Sequence, residues 1–182
     1  MGLTLVGVSI RAADSTDVSD ITKIYARSVE TGTASFELTP PDEAEMTRRM
    51  TDLTAKCFPY IVAEADGVVA GYAYVAPFRT RPAFRATVEN SVYVAPEFQR
   101  RGVGQALLLA LIAASEECGF RQMIAVIGDS ANQAASVALH AAAGFRNAGV
   151  LPDIGYKHGR WLDCVFMQRT LGPGAKSPPT NE

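Results

Sequence analysis

A strand that runs into a glycine loop, with that loop opening a long apolar helix, leaves a chain few architectures to choose from. Residues 91–118 read SVYVAPEFQRRGVGQALLLALIAASEEC. The stretch before Pro96 has strand character, and a proline with no N–H ends the ladder. Val103–Cys118 has the composition of a long helix, and Gly119 stands where a left-handed helix stop belongs. Between them lies QRRGVGQ. Unpaired N–H groups at a helix start converge on one point, and the helix dipole favours negative charge there. Gly102 and Gly104 allow close backbone approach, and Arg100 and Arg101 add positive charge. Taken alone, the loop serves equally as a plain turn with a solvated arginine pair. It lacks the Gly-Lys-Ser/Thr of a Walker A loop. It also lacks a third glycine at dinucleotide-binding spacing.

The rest of the chain supplies strands and helices around this unit. Leu3–Arg11 alternates as a first strand. Asp14 or Ser15 is expected to cap a helix running to about Val29, with Ile21, Ile24, Tyr25 and Val29 as its inner stripe. Thr39-Pro40-Pro41 is expected to open a second helix that carries Met46, Met50 and Leu53 inward. Ala65-Asp66-Gly67 between two apolar runs signals a hairpin. RQMIAVIG reads as a buried strand, Asn132–Ala143 as a small-residue helix closed by Gly144, and the remainder as two strands turning near KHGR. The order β-α-α-β-β-β-α-β-α-β-β predicts one mixed α/β domain of the α+β kind, antiparallel early and parallel in the middle. The domain is expected to span 1–171, with 172–182 as a flexible tail.

Composition limits the function classes. With 182 residues, 48% of them apolar, the chain can bury a core by itself, and a net charge of −2 disfavours a nucleic-acid binder. No apolar run is long enough to span a membrane, and Met1–Arg11 does not resemble a secretory leader. Cys57, Cys118 and Cys164 form no metal-binding spacing, so no metal is expected; they read as reduced, mostly buried thiols of a cytoplasmic protein.

QRRGVGQALL resembles the Gln/Arg-x-x-Gly-x-Gly/Ala motif of the GNAT superfamily of N-acetyltransferases, and NQAASVALHAAAGF is similar to a second family segment about thirty residues later. TASFE, RPAFRATVENSVYV, AVIG and GYKHGRWLD narrow the resemblance to the phosphinothricin N-acetyltransferase group, over about Val8 to Leu171. The resemblance implies a GNAT-like fold: a largely antiparallel mixed sheet with one splayed parallel pair, flanked by about four helices. It implies acetyl-CoA as cosubstrate and a small amino-acid analogue as acceptor. The amides of Arg100, Arg101, Gly102, Val103, Gly104 and Gln105 would hold its pyrophosphate. The strand through Val92, Tyr93 and Val94 would take its pantetheine arm, and Asn132 and Ser136 would touch it.

Attack of an amine on a thioester needs a proton acceptor, because an α-amine with a pKa of about 8 is largely protonated at neutral pH. The resemblance puts a catalytic glutamate at Glu89, the candidate base, on a strand face shared with Thr87, Ser91 and Tyr93; from the residues alone it reads as a strand glutamate on a solvated face or in a salt bridge. His140 replaces the tyrosine found in most of the superfamily but matches this group; its imidazole suits proton traffic near neutrality. An acceptor carboxylate calls for a cation, with Arg81 ranked before Arg79. Phe84 stands where the herbicide-resistance enzymes have tyrosine, and Arg79 where they often have lysine. Phe36, Glu37, Lys157 and His158 are expected to wall the acceptor pocket, with Trp161 beside them. The resemblance also implies a homodimer. Three alternatives stand beside this reading: another amine acceptor, a non-catalytic acyl-CoA sensor, and a nucleotide-binding module.

Overall fold

The computed structural model describes residues 7–179. A first strand, β1 (Val8–Ala12), leads through a 3-10 turn (Ser15–Asp17) into α1 (Val18–Thr31), and α2 (Glu43–Thr54) follows. Then come β2 (Tyr60–Ala65), β3 (Val68–Pro77), β4 (Thr87–Val94), α3 (Val103–Glu117), β5 (Gln122–Gly128), α4 (Ala134–Ala142), β6 (Arg146–Lys157) and β7 (Arg160–Thr170). The element order is the one the sequence predicts. Residues 3–6 of the expected first strand lie outside the described residues.

The helix starts differ in detail. Asp14 caps the 3-10 turn rather than α1 itself: its carboxylate accepts from Thr16 N, and Asp17 in turn accepts from Asp14 N. The second helix does not open at Thr39. Asp42 is its cap, accepting from Glu45 N at 2.8 Å, because its carboxylate satisfies an amide that the two prolines before it cannot. The α4 helix begins at Ala134, and Asn132 lies in the turn before it. Within residues 172–179, Gly174 is buried in a short 3-10 turn, and Arg121 donates to Pro178 O at 3.2 Å. Cys164 is buried as expected, but Cys57 is exposed and Cys118 half-buried.

The seven strands form one sheet in the order β1-β2-β3-β4-β5-β7-β6. Every neighbouring pair is antiparallel except β4 and β5. That parallel pair runs from Thr87↔Gln122 to Asn90↔Ala125 and stops. Beyond it, β4 continues to Val94 and β5 to Gly128 without pairing to each other. The two strands part where α3 and α4 begin, leaving backbone N–H and C=O groups facing an open wedge.

Two apolar clusters hold this arrangement. On one face, α3 buries Leu107, Leu108 and Leu111 against Val75, Val88 and Met123. Each such side chain contributes roughly 1.5–3 kcal/mol when fully buried. On the other face, α1 and α2 cover Tyr60, Val62 and Tyr72 with Ile21, Tyr25, Met46 and Met50. Because side chains alternate along β4, the strand feeds both clusters, and its polar residues divide between the two faces as well.

Candidate active site

The glycine loop sits at the mouth of the wedge. Gly102 adopts φ +84, a left-handed conformation that costs glycine little, and it forms the N-cap of α3. The first intrahelical bond runs from Ala106 N to Gly102 O, so the amides of Val103, Gly104 and Gln105 have no helical acceptor. A Cβ on Gly104 would rest 3.5 Å from Val94 Cγ2 and 3.6 Å from Leu139 Cδ2. The fold therefore has room for alanine there, and glycine keeps that space free beside the wedge. The two arginine side chains point to different surroundings. Arg101 turns toward the β2–β3 hairpin, 3.4 Å from Asp66, with its guanidinium 4.8 Å from the Phe98 ring centroid. Arg100, at φ 57, is exposed.

Glu89 projects from β4 toward the α1/α2 side, in step with Ser91 and Tyr93. It is half-buried. Burial raises its pKa above the usual carboxylate range, while the nearby Arg79 guanidinium pulls it back. Tyr74 on β3 lies opposite Ser91 in the ladder. Arg79 packs its guanidinium 5.0 Å from the Phe78 ring centroid, and Phe78 meets Phe84 edge-on at 5.9 Å. Arg81 and Phe84 are exposed on the loop that rims this side.

His140 is on the opposite face of β4 and is reached through Asn90. Its Nδ1 lies 2.8 Å from Ser136 O, and its Nε2 lies 2.9 Å from Asn90 Nδ2. A carbonyl only accepts, so Nδ1 carries the proton. The neutral ring then has a lone pair on Nε2, and Asn90 must present its NH2 group there. Burial lowers the imidazole pKa, only partly offset by the Ser136 bond. The Asn90 Oδ1 is left buried and unpartnered. Both nitrogens of His140 are thus engaged within the protein. Ser136 contributes its carbonyl to this arrangement.

The segment between α1 and α2 is strapped across the sheet. Lys157, buried at 3% exposure, donates to Ser35 O at 2.7 Å. Its desolvation lowers its pKa, with Glu37 pulling the other way. His158 Nε2 lies 3.3 Å from Gly32 O. The Phe36 ring fills a slot in which a Cβ on Gly128 or on Gly155 would overlap it. Glu37 accepts from Tyr25 at 3.0 Å and from Arg49 at 2.7 Å. Lys157 and His158 therefore hold the 33–37 segment through its backbone carbonyls and that of Gly32. Trp161 is 62% exposed and packs edge-on against Tyr156 at 5.3 Å.

Asp129 joins these parts, and sequence reasoning missed it. It accepts from Thr33 Oγ1 at 2.8 Å, from Asn132 Nδ2 and from Arg160. These partners hold its carboxyl well below the usual range. The only sequence signal was a small acidic residue directly after a buried strand. Tyr74 and Asn90 were also missed; both sit beside named residues, but their partners come from distant elements.

Residues 10–166 match the family model "Acetyltransferase (GNAT) domain". The chain belongs to the GNAT acetyltransferase family. Within that family it is 50% identical over 171 residues to a phosphinothricin N-acetyltransferase of Alcaligenes faecalis, covering 94% of this chain and 86% of that one. It is 40% identical to an L-methionine sulfoximine/L-methionine sulfone acetyltransferase of Pseudomonas aeruginosa, covering 95% of this chain and 100% of that one. Its fold superposes on a GNAT superfamily phosphinothricin acetyltransferase from Sinorhizobium meliloti, solved with acetyl-CoA, with a TM-score of 0.93. Identity to that structure is 47%, covering 97% of this chain and 95% of that one. The chain is thus an acetyl-CoA-dependent GNAT N-acetyltransferase, in keeping with the fold, the parted strands and the acetyl donor expected from the sequence. Among the described residues, no cluster of His, Cys, Asp or Glu is arranged to hold a metal ion, and no helix is long and apolar enough to cross a membrane.

Proposed function

We propose that the chain moves the acetyl group of acetyl-CoA to the α-amine of a small amino-acid analogue of the phosphinothricin, methionine sulfoximine or methionine sulfone type, with Glu89 as general base. The observation that carries the reading is the position of Glu89. It is a half-buried carboxylate of raised basicity near Arg79, on the strand whose edge toward β5 is open beyond Asn90. The wedge-facing backbone groups of Val92 and Val94 suit the amides of a pantetheine arm, while the backbone of Tyr93 between them is paired with Tyr72 across the β3–β4 ladder. The free amides of Val103, Gly104 and Gln105 suit a pyrophosphate. Asn132 and Ser136 stand on the same side of the wedge. Arg81 and Arg79 offer cations to the acceptor carboxylate, and Phe84 offers an apolar rim without a hydroxyl.

In the reaction the amine nitrogen attacks the thioester carbonyl carbon. The C–N bond forms, the amine proton passes to Glu89, and the C–S bond breaks with release of thiolate. His140 assists by keeping Asn90 in one orientation. Donation from His140 to the sulfur would require Nε2 to give up Asn90 and gain a proton. A polycationic acceptor suits the rim less well, because Arg79, Arg81 and Arg85 crowd it.

Two further assignments accompany this reading. A homodimer is supported by Leu151, Ile154, Tyr156 and Trp161, all exposed on the β6–β7 hairpin. Cytoplasmic placement is supported by three cysteines, none of them bridged.

The test follows thiol release from acetyl-CoA against a panel of amino acids, amino-acid analogues and polyamines. Turnover is expected with L-phosphinothricin, methionine sulfoximine or methionine sulfone. Glu89→Gln is expected to lower it by about 10²–10⁴-fold with unchanged acetyl-CoA affinity. Tight acetyl-CoA binding with no acceptor above background would instead indicate an acyl-CoA sensor.

A further inference from the structure

Asp129 lies where three segments meet: the β5–α4 turn, the α1–α2 segment and the β6–β7 hairpin. Its carboxylate is 4% exposed. Oδ2 accepts from Thr33 Oγ1 at 2.8 Å and from Asn132 Nδ2 at 3.0 Å, and it also meets Arg160. Oδ1 accepts from Arg160 at 3.1 Å and more loosely from Asn132 at 3.2 Å. The backbone of the same residue is equally committed. Its carbonyl receives the amides of Asn132 and Gln133, both at 2.9 Å, and its own amide donates to Asp163 O. Asp129 adopts φ 56, a left-handed conformation that aspartate tolerates better than most residues.

A buried carboxylate is stable only while its oxygens stay matched. Thr33 and Asn132 draw on the same oxygen, so a shift of one changes the geometry of the other. A second, weaker link runs from Gln133 Nε2 to Thr33 Oγ1 at 3.5 Å. Beyond Thr33 the segment has little freedom to absorb a shift. Ser35 is held by Lys157 and Tyr25, and Phe36 fills its glycine slot. The segment from Thr33 to Glu37 therefore moves as a unit.

We infer that Asp129 is a positioning residue that couples the two halves of the site, so that filling the donor wedge at the Asn132 turn fixes the segment that walls the acceptor through Thr33. This rests on the donor placement proposed above. Coupling of this kind is reciprocal: whatever donor binding does for acceptor affinity, acceptor binding does for the donor.

The experiment is hydrogen–deuterium exchange on the intact protein, with and without saturating coenzyme A, read at amides 33–37. Coenzyme A is expected to slow their exchange by about 5-fold or more in the wild-type protein, the low end of ordinary coupling. In Thr33→Val, which removes the hydroxyl and keeps the shape, protection is expected to fall below about 2-fold while coenzyme A affinity is retained. Thr33→Ser restores the hydroxyl and should restore protection, which separates lost coupling from poor folding. Equal protection in the wild type and Thr33→Val overturns the inference, as does bound coenzyme A with no protection in the wild type. Kinetics supply an independent arm: Thr33→Val should raise KM for L-phosphinothricin at saturating acetyl-CoA and, because the coupling is reciprocal, KM for acetyl-CoA at saturating acceptor, while coenzyme A affinity of the acceptor-free protein is retained. If no amino-acid analogue is acetylated at all, the proposed substrate class fails, while the exchange measurement still decides the coupling.

Discussion

Glu89 and His140 occupy opposite faces of one strand, and their surroundings set different chemistry for each. Glu89 is half-buried and faces a guanidinium, so its carboxylate gains basicity and still has a counter-charge. His140 is buried at 4% exposure between Asn90, Ser136 and the Phe145 ring, with no counter-charge among its hydrogen-bond partners. Its pKa is therefore depressed in the folded chain. In the unfolded chain it returns to about 6.5. Below that pH the unfolded state binds the extra proton, so stability falls as pH drops through the window from about 6.5 to the lower folded value. The prediction is a loss of urea-unfolding free energy between pH 7.5 and 5.5 that is smaller in His140→Gln, even though that variant is about 1–3 kcal/mol less stable at neutral pH. Equal pH slopes in the two proteins would show that His140 titrates normally in the fold. His158 is exposed and common to both, so it does not create a difference.

The strand pair β4–β5 and the α1–α2 segment are the elements that shape the site. The wedge exists because pairing stops at Asn90↔Ala125 although both strands continue. The segment is placed by a steric device: Gly128 ends β5, Gly155 lies in a bulged part of β6, and the Phe36 ring occupies the space that their missing side chains leave. Gly155→Ala is expected to displace that ring, costing about 1–3 kcal/mol of stability from overpacking. It should also raise the acceptor KM more than the acetyl-CoA KM. Adding Phe36→Leu is expected to recover part of the lost stability, because the two positions share one volume and their effects are not additive. Thermal or urea denaturation of the single and double variants checks this; additive losses would mean that the ring and the glycine do not compete for space.

At the scale of the molecule, the sheet ends on β6, a long edge strand. Pro152 and two register shifts interrupt its ladder, which discourages strand addition. Its side chains remain apolar and uncovered: Ile154 is 53% exposed, Tyr156 58% and, on β7, Trp161 62%. A second copy covering that surface through side-chain contact would bury it. Sedimentation is expected to give a dimer that Trp161→Asp or Ile154→Asp converts to monomer. A monomeric wild-type protein at micromolar concentration would remove the dimer from the proposal.

Much of the molecule was legible from local signals. The hairpin at Asp66-Gly67, with φ 54 and 77, follows from residues that accept left-handed conformations, as does the cap at Gly102. The strand alternation put Glu89 and Asn90 on different faces, because a period of two leaves no other choice. The motifs around Gly102 and Asn132 pointed to the family through their order and spacing. Local chemistry ran out where partners are distant in sequence. Thr33 and Asp129, Lys157 and Ser35, and His140 and Asn90 meet only because the sheet brings their elements together. The same limit hid the burial of Lys157, which follows only from the α1–α2 segment lying over the end of β6. The elements, the glycine loop and the likeness to a family were readable in the chain, since these rest on dihedral preference, side-chain period and short-range motif. Only the tertiary structure decided which polar groups are already satisfied by one another and which still face the wedge, because a hydrogen bond depends on where both partners lie.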